Sequence, residues 1–101
     1  MTPHGNSIQS KRPQHLYEIR DKQEDTVFKY GISDNSIDED GLSKRIRNQL
    51  ILLNLAAGWE RYYANILLQN IEGREAARKL EKQYIDAYQE KHGVKPRGNR
   101  Q

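Results

Sequence analysis

Two tyrosines and a lysine lie in two adjacent β-type stretches near the start of this sequence. Tyr17 lies in the first stretch, and Lys29 and Tyr30 come directly before Gly31 in the second. A phenol can position or deprotonate water, and a lysine amine can act as a base or bind phosphate. Because side chains alternate along a strand, Lys29 and Tyr30 face opposite ways, and we expect Tyr30 rather in the core. The alternative is an ordinary hairpin with no chemical role.

Two side chains later in the sequence could bind a metal ion and neutralise negative charge. Glu81 follows Leu80 on an apolar helical stripe, so its carboxylate can face the edge of the core and hold Mg²⁺ with several waters. Arg45 can pair two phosphate oxygens, and Arg47, on another helical face, is the alternative. For each of these residues, the simpler interpretation is a solvated surface charge.

The composition limits the chain to one small domain. It has 101 residues, of which 35% are hydrophobic and 31% charged, so the core must be small. The net charge of +3 is compatible with a polyanionic partner but does not require one. The lack of cysteine excludes disulfides, Cys-zinc sites and thiol catalysis. We expect no membrane association, because no apolar run is long enough to cross a bilayer.

The hydrophobic pattern predicts the element order β-β-α-β-α. Residues 1–13 are polar and predict a flexible tail or linker, which leaves residues 14–101 as the folded domain. Strands are predicted at His15–Arg20 and Thr26–Ser33, joined by the polar turn Asp21–Asp25. The acidic loop Asp34–Gly41 has neither a glycine nor a closing glutamate at the offsets that a calcium loop requires.

The second half predicts two helices around a third strand. The helices are predicted at Leu42–Ala57 and Arg74–His92, with Ser43 as a cap and Gly58 and Gly93 as stops. The intervening strand is predicted at Tyr62–Ile71. The second helix should bury the face Ala77, Leu80, Tyr84, Ala87 and Tyr88. The expected fold is α+β, a small, mainly antiparallel three-stranded sheet flanked by helices.

An ordered set of motifs from Leu16 to Asn99 resembles the GIY-YIG endonuclease superfamily. Tyr17 matches the tyrosine of the first strand, and KYGIS is similar to the Lys-Ile-Gly-x-Ser/Thr form of a divergent branch. The helix motif Arg-Ile/Leu-x-x-His resembles RIRNQ, with Gln49 in the place of the histidine. The remaining matches are Glu81 followed by Ile85, and Pro96 followed by Asn99.

A second resemblance is to the C-terminal toxin domains of bacterial polymorphic toxins of the Rhs type. It is carried by HGNS, by RPQH, by Tyr-Glu-Ile and by KYGIS. Such domains are secreted as part of a larger toxin and delivered to the target-cell cytoplasm. The resemblance therefore implies delivery into competitor bacteria and a cognate immunity protein.

Together the resemblances imply a metal-dependent endonuclease toxin that hydrolyses phosphodiester bonds of DNA, with RNA not excluded, and that acts as a monomer. The implied catalytic residues are Tyr17, Lys29, Tyr30, Arg45 and Glu81, with Glu81 as the ligand of Mg²⁺ or another divalent cation. The expected contacts with nucleic acid are Arg47, Lys95, Arg97 and Asn99. Two alternatives stay open: a non-catalytic nucleic-acid-binding module with a degenerate nuclease fold, and a protein-interaction domain.

Overall fold

An antiparallel sheet of three strands organises the chain, of which a computed structural model describes residues 12–100. The elements are β1 (Pro13–Asp21), β2 (Thr26–Ser33), α1 (Lys44–Ala57), β3 (Tyr62–Glu72), α2 (Arg74–His92) and a 3-10 turn (Arg97–Asn99). The sheet order β2-β1-β3 and the two helices confirm the predicted α+β fold. The predicted tail, residues 1–13, lies outside the described residues except for Arg12 and Pro13, and Pro13 already belongs to β1.

The central strand β1 separates two apolar clusters, because six consecutive residues, Gln14–Ile19, are buried. Leu16 packs with Ala77 of α2, whereas Tyr17 and Ile19 pack with Ile46 of α1. Since successive side chains of a strand point to opposite faces, the two helices cover opposite faces of the sheet. Each helix thus presents its side chains to one face of the same three-stranded sheet.

Helix α1 begins two residues later than predicted, at Lys44 instead of Leu42. The acidic loop accounts for the difference, because Asp38 N–H donates to the Leu42 carbonyl at 2.8 Å and Leu42 N–H donates to Asp40 Oδ1 at 3.0 Å. Ser43 takes the N-cap position as predicted, but its hydroxyl is within 3.2 Å of His15 Nε2 and makes no capping bond. The loop therefore holds Leu42 in an extended turn.

The bounds of the other strands and of the second helix lie within two residues of the predicted ones. Helix α2 has the predicted bounds, and β1 and β3 each extend the predicted strands, which shortens the first turn to Lys22–Asp25. Ala87 is exposed, so its predicted place on the buried face of α2 is wrong; it lines an open cavity of about 390 Å³ together with Thr26 and Val27 of β2. No helix within residues 12–100 has the length and hydropathy needed to span a membrane.

A buried carboxylate ties three distant segments together at the end of β1. The Asp21 side chain is fully buried and accepts bonds from Arg61 Nε at 2.8 Å and Nη2 at 2.7 Å. Arg97 of the C-terminal turn also donates to Asp21, and Gln23 N–H donates to it at 2.9 Å. Hydrogen bonds from Arg61, above all, and from Arg97 hold the pKa of Asp21 well below its usual range in spite of burial.

Replacing Asp21 by Asn should lower the free energy of unfolding at pH 7 by about 3 kcal/mol, because two guanidinium groups lose their shared anion. The folded-state pKa of Asp21 is below the unfolded value near 4, so its contribution is present above about pH 4 and is lost as the pH falls further. Urea unfolding at pH 7 and pH 3 measures both effects.

The matched control for this experiment is Asp25→Asn, an exposed position in the same turn. We expect Asp25→Asn to keep the wild-type stability and the wild-type pH dependence. Asp21→Asn should instead flatten the loss of stability below pH 4. An unchanged slope in Asp21→Asn would show that the carboxylate does not stabilise the fold in this way.

Candidate active site

A chain of hydrogen bonds joins β1, α1 and β2 on the face of the sheet that α1 covers. Gln49 Nε2 donates to Tyr17 Oη at 2.7 Å, and Lys29 Nζ donates to Gln49 Oε1 at 2.9 Å. The Gln49 amide thus binds two predicted site residues: its nitrogen donates to Tyr17, and its oxygen accepts from Lys29. This Tyr17–Gln49–Lys29 chain brings Tyr17 and Lys29 together.

The chain depends on the absence of a side chain at Gly31. Tyr17 and Gly31 are directly opposite each other in the β1–β2 register. A Cβ atom at Gly31 would lie only 2.4 Å from both Cζ and Oη of Tyr17. The tyrosine ring therefore lies across the glycine, and the requirement for glycine here is one of space. Its backbone is not in the left-handed region.

A cationic cavity of about 540 Å³ opens beside this chain. Its lining consists of Lys29, Asn35, Lys44, Arg45, Asn48, Gln49 and Leu52. All the ionisable groups of this lining are cations, and two of them lie in the first turn of α1, which contains no acidic residue. The helix dipole disfavours cations at this end, so an anion in the cavity would relieve the repulsion.

Tyr17 does not line the cationic cavity. Its side chain is buried, with 1% of the residue exposed, and Gln49 lies between its hydroxyl and Lys29. Arg45 is exposed at the cavity, and its backbone N–H donates to Asn35 Oδ1 at 3.0 Å. The groups that meet solvent here are therefore Lys29, Arg45 and Gln49, with Tyr17 behind them.

Glu81 lies on α2, the helix that packs against the opposite face of the sheet from α1. Burial raises the pKa of the Glu81 carboxyl above its ordinary value, and the charges of Arg78 and Arg74 oppose the shift. Lys29 and Arg45 also lower the pKa of Glu81, so both lie within electrostatic range of it. The carboxylate itself lines a second cavity of about 520 Å³, which it shares with Arg78, Lys82 and Lys95.

The donor set around Glu81 can be tested for its fit to a metal ion. Within residues 12–100, no group of three or more His, Cys, Asp or Glu could hold a metal. Glu75, an acid of the same cavity, pairs with Lys79 at 3.7 Å, and Asp86 pairs with Lys82. One half-buried carboxylate fits Mg²⁺, which keeps several waters and takes substrate phosphate oxygens as further ligands.

Tyr30 lies on the opposite face of the sheet from Lys29, as side-chain alternation predicts. Its ring packs edge-on against Tyr84 of α2 with centroids 5.4 Å apart, and burial raises the pKa of its phenol. The structure therefore does not bring the Tyr30 phenol to Tyr17 and Lys29, two of the residues implied to be catalytic together with it. Its backbone, in contrast, has a specific partner.

Asn99 binds the backbone of Tyr30 as an additional strand would. Its Oδ1 accepts the Tyr30 N–H at 2.9 Å, and its Nδ2 donates to the Tyr30 carbonyl at 2.9 Å. Because β2 is an edge strand, these bonds satisfy backbone groups that have no strand partner on that side. The C-terminal turn thus fixes the part of β2 that carries Lys29.

Two of the other residues predicted to bind nucleic acid also have protein partners. Arg47 pairs with Asp38 at 2.6 Å and with Asp40 at 3.1 Å, which closes the acidic loop on α1. Arg97 pairs with Asp21 and is engaged in the cluster described above. Lys95 is exposed and lines the Glu81 cavity. Contacts of these residues with nucleic acid remain predictions.

Gln49 is the site residue to which the sequence assigned no role. The available signal was its position four residues after Arg45, one helical turn along α1. It was noted only as a replacement for the motif histidine. Lys44, Asn35 and Asn48 also line the cavity without having been singled out.

A match to a family model assigns this α+β domain to the URI (GIY-YIG-like) fold. The family model described as "URI fold toxin 2" (Tox-URI2) matches residues 7–93, which is most of the chain. The chain therefore belongs to this family of toxin domains, and membership indicates a toxic function of nuclease type. Comparisons with the curated proteins and with the solved structures gave no match.

Gly31→Ala should destabilise the fold by about 1–3 kcal/mol, the usual cost of overpacking a buried site, because the new methyl group would overlap the tyrosine ring. In a Tyr17→Leu background the atoms that would overlap are absent, so the same glycine substitution should cost much less. Chemical denaturation of the four proteins of this double-mutant cycle measures the coupling. Equal costs in the two backgrounds would contradict the described packing.

Proposed function

We propose that this domain is a metal-dependent endonuclease toxin that hydrolyses phosphodiester bonds of DNA in competitor bacterial cells. One observation carries the proposal. The wall of the cationic cavity contains Arg45 and Lys29, and the charges of both favour the ionised form of the half-buried Glu81 carboxylate. Phosphodiester hydrolysis requires cations that bind the phosphate and a carboxylate that holds a divalent ion.

The cationic cavity would bind the phosphate that is to be cleaved. Arg45 can pair two of its oxygens, and the Lys29 amine can neutralise charge that develops in the transition state. Lys29 Nζ is oriented by its bond to Gln49, and Gln49 is oriented in turn by Tyr17. A prepositioned cation loses little conformational freedom when the substrate arrives, which favours the reaction.

Glu81 would hold the divalent cation, with Mg²⁺ the best match to a single carboxylate ligand. When bound, such an ion polarises the phosphate, stabilises the leaving oxygen and lowers the pKa of a bound water. The positive charges of Arg78 and Arg74 on Glu81 favour the ionised carboxylate that a metal requires. Lys95, on the wall of the same cavity, can contact the nucleic-acid backbone.

We assign Tyr17 to positioning. Its phenol is buried behind Gln49 and receives the Gln49 hydrogen bond, so it acts on the cavity through Gln49. Arg47, Arg97 and Asn99, which the structure uses to hold the acidic loop and β2, would support the site in the same indirect way.

The wider biology follows from the toxin family and the resemblance to polymorphic toxins. In the proposal, the domain is secreted as part of a larger toxin and acts in the target-cell cytoplasm. A cognate immunity protein protects the producing cell. The net charge of +3 is consistent with a nucleic-acid substrate, and RNA is the alternative to DNA.

The proposal predicts that the purified chain cuts plasmid DNA in the presence of Mg²⁺ and that EDTA abolishes cutting. Glu81→Gln, which removes the charge but keeps the shape, should reduce the rate at least ~100-fold. Glu90→Gln, at an exposed position of the same helix, is the matched control and should cut at the wild-type rate. Cutting that survives EDTA, or equal rates in both variants, would contradict the proposal.

A second prediction separates positioning from direct proton transfer by the phenol. If Tyr17 positions Gln49, Tyr17→Phe should reduce the cutting rate by only about 10-fold, less than Glu81→Gln does. Gln49→Leu, which breaks both hydrogen bonds, should cost more than Tyr17→Phe. A loss in Tyr17→Phe as large as in Glu81→Gln, with thermal stability preserved, would instead make the phenol the base.

The second candidate function is a nucleic-acid-binding module without catalysis. Gln49 in place of the motif histidine favours it, because an amide cannot take up a proton from water. The same assay distinguishes the two functions. Salt-sensitive DNA binding with no Mg²⁺-dependent cutting would support the binding module, with the cationic cavity as the phosphate site.

A further inference from the structure

A polar cavity of about 460 Å³ lies at the end of the sheet where β1 begins and β2 ends. Its lining includes four side-chain amides and a carboxylate, which belong to Gln14, Asn35, Gln69, Asn70 and Asp34. We call it the amide cavity. Its volume is in the range of cavities that hold small ligands, and side chains of this kind read the hydrogen-bonding edges of a ligand.

A bulge in β3 opens the amide cavity. In the pairing of β1 with β3, the single residue His15 is opposed by two residues, Gln69 and Asn70. Asn70 has a φ of 55°, a left-handed conformation that a residue with a side chain adopts at some energetic cost. Bulges of this kind interrupt the strand pairing and redirect side chains next to functional sites. Both residues of the bulge line the cavity.

Two oxygen atoms at this cavity accept no hydrogen bond from any residue between 12 and 100. One is Oε1 of Gln14, a residue that is only 1% exposed. Gln14 Nε2 donates to the Arg12 carbonyl at 3.1 Å, which fixes the amide and leaves Oε1 as an acceptor. The other is Asp34 Oδ2, whose ion pair with Arg12 Nη1 at 3.4 Å lacks the geometry of a hydrogen bond. Buried acceptors without a donor are rare and costly, so a pair of them indicates a ligand.

The two acceptors are neighbours in the antiparallel register. His15 is paired with Ser33, the last residue of β2, so the next facing positions are Gln14 and Asp34. Facing side chains of two antiparallel strands lie on the same face of the sheet and close together. One ligand can therefore reach both oxygens, provided that it presents donors on neighbouring atoms.

Asn35 connects the amide cavity with the cationic cavity, because it lines both. Its Oδ1 accepts the Arg45 N–H at 3.0 Å, and its own N–H donates to Ser33 Oγ at 3.0 Å. A phosphate bound by Arg45 would thus have the amide cavity beside it. A nucleotide has the matching layout, with an anion at one end and a hydrogen-bonding base at the other.

We propose that the amide cavity binds the base of the nucleotide whose phosphate occupies the cationic cavity, and that this base is guanine. The inference rests on the proposed function for the phosphate. Guanine presents donors on two neighbouring atoms, N1 and N2, which match the oxygens of Gln14 and Asp34. Adenine, cytosine and thymine each present only one donor atom. The amides of Gln69 and Asn70 can donate to the guanine acceptors O6 and N7.

The proposal also narrows the substrate. In a duplex, guanine N1 and N2 donate to the paired cytosine, so the base enters the cavity only when it is unpaired or leaves the stack. The proposed nuclease therefore prefers a guanine in a single-stranded or opened stretch beside the cleaved bond.

Calorimetric titration of the 101-residue chain with the deoxynucleoside monophosphates of the four bases, in EDTA, tests the proposal without any cleavage. The guanine nucleotide should bind at least ~10-fold more tightly than each of the others. Gln14→Met, which removes the unpartnered oxygen and keeps the length of the side chain, should lose most of this preference and keep about the wild-type stability. Gln23→Met, at an exposed position of the first turn, is the matched control and should keep the preference.

The variant Arg45→Ala separates the phosphate from the base. It should weaken all four nucleotides to a similar extent, because a phosphate contact positions a nucleotide without choosing its base. Equal affinity of the wild type for the four nucleotides would overturn the proposal, as would a guanine preference that persists in Gln14→Met. Plasmid cutting without a guanine preference would overturn the base assignment alone. Guanine-selective binding without any cutting would instead overturn the endonuclease and leave the nucleotide site.

Discussion

The position of the Tyr17 ring across Gly31 is the constraint on which the rest of the site depends. The ring can reach Gln49 only because the facing strand has no side chain at that point. Gln49 in turn reaches Lys29, so one missing methyl group permits a connection among two strands and a helix. The separation between the sheet and α1 is thereby fixed where the cationic cavity opens. Arg45, one turn before Gln49 on α1, is placed by the same contact.

The C-terminal turn supports this arrangement from the outside of the sheet. β2 is an edge strand, and an edge strand is free to twist or shift unless something pairs with it. Asn99 pairs with the Tyr30 backbone, and Arg97 joins the buried Asp21 at the far end of β1. Residues that looked like contacts for nucleic acid thus hold the strand from which Lys29 projects. Lys29 and Arg45, in contrast, face the cavity.

The sequence predicted the periodic parts of this structure well, because burial of one face imposes a period on each element. The opposite orientations of Lys29 and Tyr30 followed from that rule. The strand at Tyr62–Ile71 was instead indicated by its β-branched and aromatic content, and the bounds of α2 by the flanking Gly73 and Gly93. The predicted burial of Ala87 was wrong because a periodic position does not reveal whether helix and sheet are in close contact there; Ala87 lines an open cavity beside β2. The predicted start of α1 at Leu42 was wrong because hydrogen bonds of Asp38 and Asp40 to Leu42 compete with the helix there.

The site was predictable only as far as single residues carry its chemistry. Tyr17, Lys29, Arg45 and Glu81 could be chosen by type and order, whereas the role of Gln49 depends on two partners in different elements. The Asp21–Arg61–Arg97 cluster joins Asp21 and Arg97, which are 76 positions apart, and no local sequence pattern indicates such a contact. Long-range polar pairs of this kind are decided by tertiary packing, which a sequence pattern does not specify.

The most direct test of the account is where a nucleic acid binds on this surface. An amide NMR titration with a short DNA duplex, in Ca²⁺ to limit cleavage, would map the contact residue by residue. The account predicts that the largest shifts occur at Lys29, Arg45, Gln49 and Glu81, in one continuous patch. Shifts confined to the opposite face, around Tyr30 and Tyr84, or the absence of any shift, would contradict it.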